Sequence, residues 1–189
     1  MSSVYFATSN RNKLKEVQEV IGSEIHIKHL PFEHNEIRSD SIEEIAKDAV
    51  EHAYSIVYSS QKEFFHEPVF VEDTGLFIDS LNGFPGTYSK WVLEKIGIQG
   101  ILELLEKKER GAEFRCCIAY KEGKEIQTFL GTCAGSISEM AKGKSGFGYD
   151  PIFIPKGYTE TFAQSIGLKN NLSHRYRAIT KLKEFLLTK

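Results

Sequence analysis

Apolar residues along the chain follow two periods, and the change from one to the other marks the predicted elements. Short apolar runs at Val4–Ala7, Ile25–Leu30 and Val69–Val71 have the length of buried strands. Between them, apolar residues recur at helical spacing from Lys13 to Ile21 and again from Ile42 to Ala53. The first part of the chain therefore predicts strands that alternate with helices, as in α/β proteins.

Capping and breaking residues set the expected helix boundaries. Ser41 and Glu44 have the spacing of a capping box, which places the start of the second helix at this point. A later helical region extends to about Glu109, with Gly97 and Gly100 as the expected break points.

The pattern then changes to alternation of apolar and polar residues. Glu113–Tyr120 and Glu125–Ser138 predict two antiparallel strands around a turn at Glu122-Gly123. Pro151–Pro155 predicts one more short strand, and Ser173 is the expected N-cap of a final amphipathic helix. The middle of the chain is therefore expected to add a hairpin to the sheet.

Length and charge narrow the class of protein. With no internal repeat, linker or low-complexity tract, residues 1–189 predict a single α/β domain with two lobes around a cleft. The chain has 24 basic and 26 acidic residues, and a net charge of -2 gives no bulk attraction to nucleic acid or membrane. Since neither a signal peptide nor an apolar run of roughly 20 residues is present, we expect a cytoplasmic protein.

A polar segment follows the first predicted strand and leads into the first helix. It consists of Thr8, Ser9, Asn10, Arg11, Asn12 and Lys13. Helix N-termini carry unpaired N–H groups and a partial positive charge, and Lys13 adds a full charge, so the segment is a candidate phosphate site. It is not a Walker P-loop, because G-x-x-x-x-G-K-[ST] is absent. A plain polar loop is the alternative.

Two adjacent carboxylates, Glu72 and Asp73, end the third apolar strand. Carboxylates at such a place are candidate ligands for magnesium, which prefers oxygen and takes one or two carboxylates together with phosphate and water. Glu36, in a charged loop before the second helix, could supply a further carboxylate. The alternatives are that Glu72 and Asp73 form a solvated strand end and that Glu36 is a surface acid. Zinc is not expected, since the cysteines and histidines lack the spacing of a zinc site.

Two segments near the C-terminus combine residue types that are unusual for simple turns. Gly143–Pro151 sets aromatic residues among glycines, which suits base stacking beside a flexible backbone, although the rings could instead fold back on the core. His174 and Arg175 follow the Ser173 cap, where the helix dipole disfavours positive charge, so they are candidate functional residues.

Five motifs occur in order along nearly the whole chain. They are Thr8-x-Asn10-x-x-Lys13, Val71-Glu72-Asp73-Thr74-Gly75-Leu76, Phe84-Pro85-Gly86-Thr87-Tyr88-Ser89, Gly146-Phe147-Gly148-Tyr149-Asp150-Pro151-Ile152-Phe153 and Lys169-Asn170-x-x-Ser173-His174-Arg175. Together they resemble the inosine triphosphate pyrophosphatase family, the non-canonical purine nucleotide pyrophosphatases. The resemblance implies an elongated mixed sheet with flanking helices, a homodimer, and hydrolysis of ITP, dITP and XTP to the monophosphate and pyrophosphate.

The resemblance also implies roles for individual residues. Thr8 to Lys13 would bind the triphosphate, and Thr74 would contact the substrate. Asp73 would accept a proton and, with Glu36, bind Mg²⁺, for which Mn²⁺ could substitute. The residues expected around the nucleotide are Phe147, Gly148, Tyr149, Asp150, Lys169, His174 and Arg175.

Other interpretations and small departures stay open. Many family members have Glu where this chain has Leu168, and bacterial members often have Ala-Arg in place of Lys90-Trp91. A Maf-like nucleotide pyrophosphatase acting on other bases is one alternative, against which the Ser173-His174-Arg175 match argues. A non-catalytic module for nucleotide or RNA is another, against which the carboxylates and the net charge argue.

For base choice, the N–H donors of Arg175 and Lys169 suit the C6 keto oxygen of hypoxanthine or xanthine.

Overall fold

Seven strands and five helices are present in the residues that the computed structural model describes, 3–60 and 67–189. None of the described helices is both long enough and apolar enough to cross a membrane. A short 3-10 turn, Asp79–Leu81, follows the third strand. The elements are β1 (Ser3–Ala7), α1 (Arg11–Ile21), β2 (His26–Leu30), α2 (Ile42–Ser60), β3 (Val69–Ile78), β4 (Pro85–Gly86), α3 (Ser89–Leu104), β5 (Gly111–Glu122), β6 (Glu125–Ile137), β7 (Phe153–Pro155), α4 (Ile166–Leu172) and α5 (His174–Leu187).

The described strands form one mixed sheet in the order β2-β1-β3-β5-β6-β7, with β4 paired to β3 outside this path. β1 runs parallel to both β2 and β3, as expected of strands connected by helices. The remaining pairs are antiparallel, and β5 and β6 form the predicted long hairpin. The mixed α/β fold is therefore confirmed.

Several boundaries differ from the sequence-based expectation. β3 does not end at Val71 but continues to Ile78, because its polar residues are paired with β5 along their whole length. α1 begins at Arg11, since the Asn10 side chain accepts the N–H groups of Asn12 and Lys13 and so caps the helix two residues earlier.

Helices α3 and α4 and the start of α2 also differ from the sequence-based expectation. Gly97 interrupts α3 with φ 65°, as expected, whereas Gly100 lies within helical backbone and α3 ends at Leu104 rather than near Glu109. α4, which includes Lys169, was not predicted. At the start of α2, Ser41 accepts the Glu44 N–H, but the Glu44 carboxylate accepts from Ser39, so half of the capping box forms.

Buried apolar residues form three clusters around the sheet. One cluster lies between the sheet and the helices α1 and α5, and a second packs α2 on the opposite face. A third surrounds α3 and β7 at the other end of β3 and β5. Along β3, Val69–Val71 belong to the first two clusters and Leu76 and Ile78 to the third, so 72–75 cross from one part of the core to the other. The single two-lobed domain over residues 1–189 stays a prediction.

α5 packs closely on β6 at Gly131. A Cβ atom at this position would lie 2.1 Å from the carbonyl oxygen of His174 and 2.5 Å from the nitrogen of Ala178. Only glycine leaves room for the helix backbone at this distance. The first turn of α5, which carries His174 and Arg175, is thereby held against the sheet.

Candidate functional site

The polar segment of β3 presents its side chains to both faces of the sheet, because neighbouring residues in a strand alternate. Thr74 is paired with Cys116 and Asp73 with Cys117. Cys116 belongs to the cluster beneath α1 and α5, and Cys117 to the cluster beneath α2. Glu72 therefore lies on the α1 and α5 face, and the adjacent Asp73 lies on the α2 face.

Glu72 is buried in a set of charge-assisted hydrogen bonds. Arg175 Nε donates to Oε2 and Nη2 to Oε1, each at 3.2 Å, and Lys13 Nζ lies 3.2 Å from Oε2. The Thr74 hydroxyl donates to the same carboxylate, and so does the Cys116 thiol at 3.3 Å. Burial alone would raise the pKa of Glu72, but the charges of Arg175 and Lys13 outweigh it and hold the pKa well below its usual value. Glu72 is thus an ionised anchor for two cations.

Glu16 connects the two buried cations near the C-terminus. Its carboxylate accepts from Arg175 Nη1 and Lys169 Nζ, both at 2.7 Å. Burial raises the pKa of Glu16, but Arg175 and Lys169 outweigh that effect and the net pKa is lowered. Sequence reasoning missed this residue; its one signal is its position on the helix three residues after Lys13, which places both on one face.

Lys169 and Asp150 attach the aromatic loop to this network. Lys169 Nζ donates to Asp150 Oδ2 at 2.6 Å, and the Phe147 N–H donates to the same oxygen at 2.7 Å. Gly146 has φ +75°, and a Cβ there would lie 2.2 Å from Asp150 Oδ2, so the loop requires glycine. The Phe147 ring covers the cations, with its centroid 4.1 Å from Lys169 Nζ and 5.3 Å from Arg175 Cζ.

The rings of two expected nucleotide contacts, Tyr149 and His174, are buried in the core. Tyr149 is 4% exposed, and its hydroxyl donates to the Ser89 carbonyl oxygen at 2.9 Å. The interpretation of Tyr149 as an exposed stacking ring is corrected by this burial, which leaves Phe147 as the accessible aromatic. His174 stacks on Phe114 at 4.4 Å, and neither ring nitrogen has a hydrogen-bond partner among the described residues. Burial, reinforced by the charge of Arg175, lowers the pKa of His174 well below its usual value, so the ring is neutral.

The polar segment 8–13 turns from β1 into α1 beside Glu72. Lys13 Nζ donates to the Glu72 carbonyl oxygen at 2.9 Å in addition to contacting its carboxylate. Ser9, Arg11 and Asn12 are exposed, while Thr8 is buried. The predicted phosphate segment and the β3 carboxylates are therefore adjacent. Binding of phosphate by these residues, and by Gly148 of the aromatic loop, stays a prediction.

Asp73 has an environment opposite to that of Glu72. Its Oδ2 atom is buried without a hydrogen-bond partner among the described residues. Burial raises the pKa of Asp73 to about 6; the charge of Lys13 opposes the rise, and Glu36 and Glu72 add to it. Glu36 is exposed in the segment between β2 and α2. A carboxylate so raised in pKa, with a free oxygen, is suited to accept a proton or to bind a cation.

A magnesium ion fits the oxygen atoms at this position. Within 3–60 and 67–189, no three His, Cys, Asp or Glu side chains are arranged to enclose a metal. Magnesium seldom needs such a cage, because one or two carboxylates and the phosphates of a substrate complete its coordination. The unpaired Oδ2 of Asp73 and the nearby carboxylate of Glu36 are of the required kind.

A mixed α/β fold in which a cationic, N–H-rich turn lies near a carboxylate with one free oxygen defines a class of protein suited to hold an anionic ligand together with a cation. Within that class, the chain belongs to the Ham1 family, whose model matches residues 4–185. The resemblance found in the five sequence motifs is thereby confirmed.

Two curated relatives are similar over nearly their whole length. The dITP/XTP pyrophosphatase of Saccharolobus solfataricus is 45% identical, and the match covers 95% of this chain and 91% of the relative. The dITP/XTP pyrophosphatase of Ignicoccus hospitalis is 43% identical, with 97% and 96% covered.

Two solved structures share the fold. The HAM1 protein from Coxiella burnetii superposes with a TM-score of 0.82 at 30% identity over 100% of both chains. The Ham1 protein of Staphylococcus aureus superposes with a TM-score of 0.79 at 30% identity, covering 97% of this chain and 98% of that one.

Proposed function

We propose that the protein is a pyrophosphatase that hydrolyses non-canonical purine nucleoside triphosphates, ITP, dITP and XTP, to the monophosphate and pyrophosphate. One observation carries the proposal: the half-buried Asp73, whose Oδ2 atom has no hydrogen-bond partner among the described residues, lies within reach of the charge of Lys13 in the first turn of α1. The similarity to the dITP/XTP pyrophosphatases of Saccharolobus solfataricus and Ignicoccus hospitalis supports the same activity.

In the proposed mechanism, one face of β3 binds the phosphate chain and the other face supplies the proton acceptor. Lys13 and the N–H groups at the start of α1 hold the phosphate chain, and Glu72 fixes the Lys13 side chain. Asp73 accepts the proton of the attacking water, since its pKa of about 6 leaves a carboxylate at neutral pH that still has appreciable basicity. Thr74, which donates to Glu72, would contact the substrate from the other face.

Magnesium, with manganese as a substitute, is the proposed cofactor. Asp73 and Glu36 would hold it, and it would supply charge neutralisation for the pyrophosphate leaving group. The support is the all-oxygen donor set described above.

Base choice is proposed to rest on donors left over from the ion-pair network. Arg175 uses four of its five N–H groups on Glu72, Glu16 and Thr74, which leaves one on Nη1. Lys169 uses two of its three, on Glu16 and Asp150. The remaining donors suit a C6 keto oxygen, whereas the amino group of adenine would leave them unpaired. Phe147 would stack on either base.

The test is pyrophosphate release from a panel of canonical and deaminated triphosphates, with and without Mg²⁺. We expect ITP, dITP and XTP to be hydrolysed far faster than ATP, by roughly 10³-fold or more, as a site that demands a hydrogen bond allows. Preference for other bases would support a Maf-like enzyme instead. RNA affinity with a steep salt dependence and no turnover would support a binding module.

A homodimer in the cytoplasm is proposed as the working form of the enzyme. Phe84, Tyr88 and Trp91, which lie from just before β4 to the first turn of α3, are exposed aromatic residues and offer a surface for a second copy of the chain. Sedimentation analysis of the wild type and of Trp91→Glu tests this, since a charge in such an interface should give monomers.

A further inference from the structure

The peptide bond between Thr8 and Ser9 lies in the turn from β1 to α1, next to two hydrogen-bond partners of Thr8 that both belong to β2. The Thr8 N–H donates to the Leu30 carbonyl oxygen at 3.0 Å, continuing the pairing of β1 with β2. The Thr8 carbonyl oxygen lies 2.9 Å from Nε2 of His29, an exposed residue of β2. Because a carbonyl oxygen can only accept, Nε2 must carry the proton, which fixes the tautomer of the neutral ring.

The orientation of this carbonyl sets the direction of the next N–H group. In a planar trans peptide, the carbonyl of Thr8 and the N–H of Ser9 point in opposite directions. With the carbonyl turned toward His29, the Ser9 N–H points away from β2. Ser9 is exposed, and its N–H has no hydrogen-bond partner among residues 3–60 and 67–189. Free N–H groups ahead of a helix are donors for phosphate oxygens.

We propose that His29 is a positioning residue that orients the Thr8-Ser9 peptide so that the Ser9 N–H donates to the polyphosphate of the substrate. The inference rests on the proposed function for the identity of the ligand. His29 itself does not touch the substrate; it prevents the peptide from turning over and presenting a carbonyl oxygen to the anion. Such preorganisation lowers the cost of binding, since the donor is already aimed.

The test compares His29→Leu, which removes the donor, with His29→Gln, whose amide nitrogen can replace Nε2. His26→Leu is the matched control, because His26 is also exposed on β2. A hydrogen bond to a charged group contributes about 1.5 to 3 kcal/mol, so we expect KM for dITP to rise about 10- to 150-fold in His29→Leu. Inhibition by pyrophosphate should weaken by the same factor. Inhibition by the monophosphate, kcat and Tm should change little, and His29→Gln should restore KM.

Nuclear magnetic resonance separates this inference from the proposed function. Titration of the wild type with magnesium pyrophosphate should shift the Ser9 amide signal, and His29→Leu should abolish that shift. Equal behaviour of His29→Leu and His26→Leu would overturn the role of His29 while leaving the enzyme activity in place. If the wild type releases no pyrophosphate from any triphosphate, the proposed function fails; an unshifted Ser9 amide would then overturn the positioning role as well.

Discussion

Arg175 and Glu72 form a two-pronged ion pair inside the protein, in which Nε faces Oε2 and Nη2 faces Oε1, both at 3.2 Å. The Arg175 side chain is 2% exposed and that of Glu72 is not exposed at all. The pair joins the first turn of α5 to the middle of β3. Its geometry therefore ties the C-terminal helix to the strand that carries Asp73.

Removal of Arg175 should destabilise the fold as well as the site. Arg175→Ala leaves the buried Glu72 and the half-buried Glu16 with fewer partners, which should cost about 3 to 5 kcal/mol in the free energy of unfolding. Lys47→Ala, at an exposed ion pair with Glu43, is the control and should cost less than about 1 kcal/mol. Urea titration followed by circular dichroism measures both. A loss below about 1 kcal/mol for Arg175→Ala would mean that the pair does not hold α5 to the sheet.

Asp73→Asn should keep the fold and lose nearly all turnover. The amide can neither accept the proton nor bind Mg²⁺ as a carboxylate does, so kcat should fall by roughly 10²-fold or more. Asp40→Asn, at an exposed acid before α2, is the control and should leave the rate unchanged. Near-normal turnover of Asp73→Asn with an intact Mg²⁺ requirement would remove Asp73 from the mechanism.

The same substitution should alter how stability depends on pH in the absence of divalent ions. The folded pKa of Asp73, about 6, lies above its ordinary value of 3.8. The protonated side chain of Asp73 therefore stabilises the folded state fully below pH 3.8, and this stabilisation is lost as the pH rises through 6. At about 1.4 kcal/mol per pH unit between these values, the loss is about 3 kcal/mol. With a chelator at pH 8, Asp73→Asn should unfold at a higher urea concentration than the wild type, and parallel pH profiles of the two proteins would contradict the assignment.

Lys13→Ala should weaken binding of the triphosphate more than binding of the monophosphate. Lys13 Nζ uses two donors on Glu72, and the remaining donor and the charge are free for the polyphosphate. KM for dITP should rise roughly 10-fold or more, and kcat should fall too if the contact tightens in the transition state. Lys15→Ala, on the exposed side of the same helix, should behave as the wild type. Equal weakening of triphosphate and monophosphate would place Lys13 away from the phosphate chain.

Activity should require Mg²⁺ or Mn²⁺ and persist under zinc-selective chelation, because the proposed ligands are all oxygen atoms. Glu36→Gln should raise the Mg²⁺ concentration needed for half-maximal rate, whereas Glu33→Gln, an exposed acid of the same segment, should not. Full activity after exhaustive removal of divalent ions would exclude the metal role.

Sequence patterns predicted most strands, because period and length suffice where one face is buried. They did not predict α4, whose Gly167, Asn170 and Asn171 have low helix propensity; packing around the buried Lys169 side chain holds it instead. Nor could they predict that β3 continues through its polar residues, since that depends on pairing with β5.

The candidate site was predictable where adjacent residues carry chemistry, as at Glu72 and Asp73. It was not predictable where partners come from distant segments. Glu16 meets Arg175, 159 residues away, and no local pattern indicates that contact. The opposite pKa shifts of Glu72 and Asp73 likewise depend on which face of the sheet each side chain lies on. Arg175 and Lys13 contact Glu72 directly, and no such contact is made with Asp73 among the described residues.

Because α5 packs so closely on Gly131, almost any inherited substitution at this position should damage the protein. Any codon change that places a methyl group there would push against the His174 carbonyl, on the far side of the sheet from Asp73. Arg175 would move with the helix start, and Glu72 would lose one of its two cationic partners. A population carrying such an allele would show the loss of an enzyme whose proposed catalytic residues are all intact, and sequencing limited to those residues would miss the cause.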